Sequence, residues 1–150
     1  MKRIPGTRAD GNIDTAALLA WIIAVRDGCA AAGRQASGDR RIGNMLGKAP
    51  AGKDGHWPHP AVRDALDAIG TEEVKSGFHT GKFNSRGVHW RAPGGGQERD
   101  LAKKFRDDAE AIRLDHPFTA RCLLALAADY DHQGHWHDTD EAVRKRLGRP

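Results

Sequence analysis

This 150-residue chain has no long hydrophobic run, few cysteines and one stretch without any acidic residue. The longest apolar run, Ala16 to Val25, falls far short of the roughly 20 residues a membrane-spanning helix needs. It follows Lys2 and Arg3 as the core of a secretory signal would, but Asp10 and Asp14 precede it. Arg26-Asp27-Gly28 also stands where small cleavage-site residues belong. The run is therefore expected to be a buried helix of a cytoplasmic protein. The two cysteines, Cys29 and Cys122, sit in Ala/Leu-rich surroundings and are read as buried thiols, with a disulfide left open. There is no HExxH motif, no cysteine pair, no nucleophile elbow, no internal repeat and no low-complexity block.

Hydrophobic residues make up 39% and charged residues 29%, the composition of a globular domain rather than a disordered chain. A chain of this length buries a core as one domain without metals or disulfides. The formal charge of +4 favours acidic partners but alone identifies none.

Periodicity predicts an all-α domain, a bundle of five or six helices. Residues 1–13, with Pro5, Gly6, Gly11 and Asn12, read as a flexible basic arm. Asp14 or Thr15 caps a helix running to about Ala32, apolar over most of its girth and expected at the bundle centre. Ser37 to Gly47 reads as a short second helix. The Pro- and Gly-rich stretch 48–59 reads as a loop, and Pro60 opens a third helix ended by Gly70. Thr71 starts another turn or two that ends near Gly77. Residues 77–96 are expected to form a long ordered loop, admitting a small hairpin in which Phe78 and Thr80 face Val88 and Trp90. A long helix from Gln97 to about Leu114 follows. A last one starts after Pro117 and is kinked or ended at Gly134, with a terminal segment capped by Asp138 and Glu141.

The chemistry concentrates in "GFHTGKFNSRGVHWR", residues 77–91. From Val74 to Gln97 there are Lys75, Lys82, Arg86 and Arg91 and no Asp or Glu. Cations neutralise phosphates while aromatic rings stack on unpaired bases, so this mixture suits a surface for nucleic acid. The candidate binding residues are Lys82, Phe83, Arg86, His89, Trp90 and Arg91. The competing reading turns Phe78, Phe83, Val88 and Trp90 inward to close the core. Two further basic clusters, Arg34/Arg40/Arg41/Lys48/Lys53 and Arg144/Lys145/Arg146/Arg149, support the same electrostatics. "GFHTGK" is one residue too short between its glycines for a phosphate loop, and Phe83 stands where the magnesium-binding hydroxyl belongs. Asp107, Asp108 and Glu110 read as helix-surface residues. His132, His135 and His137, among Asp129, Asp131 and Asp138, offer ligands for zinc in a set that closes only if the chain turns there. No cofactor is assigned.

Four segments, "RRIGNMLGKAP", "GFHTGKFNSRGVHWR", "GGGQERDLAKKFRDDAEAIRLDHP" and "WHDTDEAVRKRL", occur in this order. Together they resemble the C-terminal segment of long, uncharacterised bacterial proteins, over roughly residues 18 to 147. The resemblance implies a helical module attached to larger machinery and carries over no catalytic residue. That group has acidic or small residues where this chain has His132 and His135, which weighs against a metal. The expectation is a non-enzymatic binding module contacting nucleic acid or an acidic protein surface, as in a subunit of a bacterial defence complex. The alternatives are a scaffold that docks only to protein and a metal-dependent hydrolase built on the histidine cluster.

Overall fold

The computed structural model describes residues 3–85 and 96–148, apart from the side chains at 136–138, 140 and 141. The described residues form six helices: α1 (Thr15–Ala31), α2 (Gln35–Leu46), α3 (Pro60–Ile69), α4 (Glu72–Ser85), α5 (Gly96–Ile112) and α6 (Pro117–Arg146). The fold is all-α as expected, and among the described residues no helix is long and apolar enough to cross a membrane.

Local chemistry sets most helix ends. Asp14 accepts the Ala17 N–H at 3.1 Å and so caps α1. Pro60 occupies the first turn of α3, and Gly70 ends that helix in the left-handed conformation with φ 61°. The start of α6 is capped from a distance. Asp67 of α3 accepts the backbone N–H groups of Phe118 (3.1 Å) and Thr119 (2.9 Å) and the Thr119 hydroxyl (2.6 Å). A carboxylate at a helix N-terminus also complements the helix dipole, so this contact fastens α6 to α3.

The chain departs from its sequence pattern in several places. α1 is peripheral rather than central: only Leu18 and Ile22 are buried, while Ile23 is 60% exposed. A helix apolar all round carries no stripe that selects an inward face, and the bulkier side chains of α4, α5 and α6 fill the centre instead. Residues 3–13 are packed down, not a free arm. Ile4 and Ile13 are buried, Thr7 bridges to Ile13, and the Asp14 N–H donates to the Gly6 carbonyl at 2.9 Å. α6 runs unbroken through Gly134. One glycine costs about 1 kcal/mol relative to alanine, too little to break a helix packed along its length.

The loop 48–59 is braced throughout. Trp57 donates its indole N–H to the Ala49 carbonyl at 2.7 Å, and the peptide bond between Trp57 and Pro58 is cis. Arg63, itself buried, donates to the Pro58 and His56 carbonyls and to both oxygens of Asp54. The Arg63 guanidinium holds the Asp54 carboxyl down at about 2. His59 accepts the Ala61 N–H on Nδ1, which places its proton on Nε2, where it donates to Asn12 at 2.8 Å. Burial lowers the pKa of this histidine below its ordinary value, in keeping with the neutral ring those two bonds require. Asp108 is buried as well, not a surface acid, and its Oδ1 lies 3.0 Å from His56 Nδ1.

Candidate functional site

The largest difference from the sequence reading falls on "GFHTGK". Residues 77–85 are not a loop or a hairpin strand but the second half of α4. Phe78 is fully buried, stacked on Trp57 with ring centroids 5.1 Å apart. Gly77 and Gly81 lie against α2. A Cβ added to Gly77 would stand 2.0 Å from the Arg40 carbonyl oxygen, and one on Gly81 would stand 2.1 Å from that of Asn44. α2 reciprocates with Gly43, whose Cβ would meet the Val74 carbonyl oxygen at 2.2 Å, and Gly47 at its end, whose Cβ would meet that of Phe78 at 2.5 Å. "GNMLG" and "GFHTG" are thus two matched small-xxx-small segments that bring helix backbones into contact. The glycines serve a helix crossing, not a phosphate loop.

Of the six predicted binding residues, the structure describes two, and neither projects as a free grip. The Lys82 ammonium lies 4.4 Å from the centre of the Trp57 ring and 5.9 Å from that of Phe105. Phe83 stacks between His79 (5.4 Å) and Tyr130 (5.0 Å). The inward reading therefore holds for Phe78 and Phe83, because burying aromatic area outweighs presenting it to water. Arg86, His89, Trp90 and Arg91 lie outside the described residues. His132 and His135 are exposed on α6, and His137 falls among the side chains left undescribed. Among the described residues no group of three His, Cys, Asp or Glu comes together to hold a metal ion. Cys29 and Cys122 are free thiols, and burial pushes that of Cys122 up to about 12.

The α2–α4 crossing assembles a different site. A groove of about 310 Å³ runs beside it, lined by Arg40, Arg41 and Asn44 of α2 and by Ser76, Gly77 and Thr80 of α4. Both arginines are exposed. Five arginines elsewhere are paired with carboxylates: Arg8 with Asp14, Arg26 with Asp39, Arg63 with Asp54, Arg106 with Asp131 and Arg113 with Glu110. Arg34, Arg40 and Arg41 reach no carboxylate among the described residues. The nearest acid on α2, Asp39, is buried and occupied. It binds the Arg26 guanidinium at 2.9 Å and accepts the Thr71 hydroxyl at 2.9 Å, which in turn caps α4 by accepting the Val74 N–H at 3.2 Å. One buried carboxylate thus ties α1, α2 and the start of α4 together, and the surface arginines beside it are left uncompensated.

A second groove, about 490 Å³, lies on the other side of the same α4 ridge, between α4 and α6. Ser76 and Thr80 line both grooves. The second one adds Glu72, Lys75, His79, Ala125, Ala128 and Asp129. His79 is held by Asp129, with Nε2 2.6 Å from the carboxylate. It ends a run of stacked or edge-on rings that continues through Phe83, Tyr130, Phe105, Trp57 and Phe78.

Arg40 and Arg41 belong to a cluster visible in the sequence, whereas Ser76 and Thr80 carried no recognised signal. The signal that would have found them is the four-residue glycine spacing, which fixes which face of α4 turns to α2 and so which residues flank it. Comparison with protein-family models, with curated proteins and with solved structures finds no match.

Proposed function

We propose that this protein is a binding module for the backbone of a nucleic acid, engaged at the groove where α2 crosses α4. The observation that supports the reading is that the exposed Arg40 and Arg41, neither with a carboxylate partner among the described residues, line one groove with Asn44, Ser76 and Thr80. Guanidinium matches phosphate with two parallel N–H donors, and amide and hydroxyl groups add neutral donors that fix its position. Leaving like charges side by side without carboxylates costs stability, a cost that an anionic partner removes on binding. Arg34 and Lys48, both exposed at either end of α2, extend the cationic track along a helix of 12 residues, roughly 18 Å. That length suits a chain of phosphates better than a single small anion. Arg86 and Arg91, which follow Ser85 in the sequence and lie outside the described residues, add two cations to the chain.

The test is anisotropy of a labelled oligonucleotide titrated with the whole chain at several salt concentrations. The expected result is affinity that falls steeply with salt. Arg40→Glu combined with Arg41→Glu should weaken binding by about tenfold or more and reduce the log–log salt slope by about 1.4, the share of two phosphate contacts on a single strand. Circular dichroism should show an unchanged helical fold. Absence of binding at every salt concentration overturns the reading. If a stoichiometric protein partner is also retained, the scaffold role takes its place.

A further inference from the structure

The geometry points to a single strand as the form of nucleic acid recognised, with a phosphate in the α2–α4 groove and an unpaired base in the adjoining α4–α6 groove. This rests on the backbone-binding reading above and adds to it the identity of the second subsite. The two grooves share the ridge of Ser76 and Thr80 but differ in chemistry. The first is lined by two unpaired arginines. The second carries Glu72 and Asp129 along its walls and the methyl groups of Ala125 and Ala128 on its α6 side, with Lys75 as its cation. A second phosphate is disfavoured beside two carboxylates. An uncharged, flat group with exocyclic N–H donors is not, because carboxylates accept from such donors and alanine walls leave room for a ring.

A nucleotide has that polarity, anionic at one end and planar and neutral at the other. His79 supplies the stacking surface. Its ring is clamped by Phe83 on one face and by the bond to Asp129 at its edge, so the platform is rigid before the ligand arrives. Bases stack on such rings with little regard to sequence. A base still paired in a duplex has its edge committed and its faces covered, and enters a groove between two helices only by leaving the stack. The second groove therefore selects unpaired strands.

The experiment compares three labelled probes of equal length: an oligodeoxynucleotide strand, the same backbone with abasic residues and equal charge, and the strand annealed to its complement, which carries twice the phosphates. The intact strand is expected to bind about tenfold more tightly than the abasic one, the contribution of one stacked base. Despite its doubled phosphate charge, the duplex is expected to bind more weakly than the intact strand. Ala128→Leu, which fills the groove at an exposed helix position, and His79→Ala, which removes the platform, should each abolish the preference for the intact strand. Both should leave the abasic affinity where it was. Thermal melting reports whether His79→Ala keeps its fold, and Ala128→Leu carries the test if it does not. Equal affinity for intact and abasic strands overturns the base subsite while leaving the backbone reading standing. Failure of all three probes to bind removes both.

Discussion

Two helix pairs dominate the molecule, and they are built on opposite principles. α2 and α4 meet backbone to backbone through Gly43, Gly47, Gly77 and Gly81, whose missing Cβ atoms would each stand within 2.5 Å of a carbonyl oxygen of the facing helix. α5 and α6 meet through side chains, with Phe105 stacked on Tyr130 at 5.6 Å and Ala102, Ala109, Leu123, Leu126 and Ala127 buried around them. The first contact is rigid, because a backbone has no rotamer with which to yield. The second is a packed core that repacks when volume changes. The proposed binding groove lies beside the rigid pair, so that Arg40, Arg41, Ser76 and Thr80 are held by main chain rather than by adjustable side chains. Preorganisation of this kind lowers the ordering cost of binding.

The contrast can be broken most forcefully at Gly77. Gly77→Ala sets a methyl group against the Arg40 carbonyl, and the two helices must separate. It is expected to cost about 3 kcal/mol of stability in urea unfolding, despite the better helix propensity of alanine. Oligonucleotide affinity should fall with it, because the groove widens. A loss under about 1 kcal/mol would show that the crossing yields and would remove the argument for a rigid site. At the other pair, Phe105→Leu exchanges one buried apolar side chain for a smaller one. The expected cost is about 1–2 kcal/mol, with binding unchanged. The smallest effect has the reverse sign. Gly28 lies within α1 and an added Cβ there meets nothing within 4 Å, so Gly28→Ala should stabilise the protein by about 0.5–1 kcal/mol. The same exchange of glycine for alanine thus changes sign between α1 and α4, and thermal melting of both variants reads it directly.

The helical architecture was legible because it rests on local rules. Asp14 caps α1, Pro60 opens α3 and Gly70 closes it. The half of α4 from Gly77 onward was misread because its two glycines look like punctuation to a rule that sees one chain segment at a time. Their helical role depends on a second pair, Gly43 and Gly47, about thirty residues earlier. The centrality expected of α1 failed for a related reason, since its uniform apolar surface holds no record of which neighbours would cover it. Lys82 looked like a surface cation and instead lies over Trp57, a residue from a loop that the sequence leaves unconnected to it.

What the sequence by itself determined is the part that depends on neighbours along the chain: helix starts and stops, the absence of a membrane-length run, and the basic clusters. What only the tertiary structure decided is which cations are left without a carboxylate and what stands beside them. Arg26 and Arg40 are the same residue type on successive helices. Asp39 neutralises Arg26 from the buried face of α2 and leaves Arg40 facing water. Charge falls off with distance through space and not along the chain, so pairing is settled only when the helices have packed.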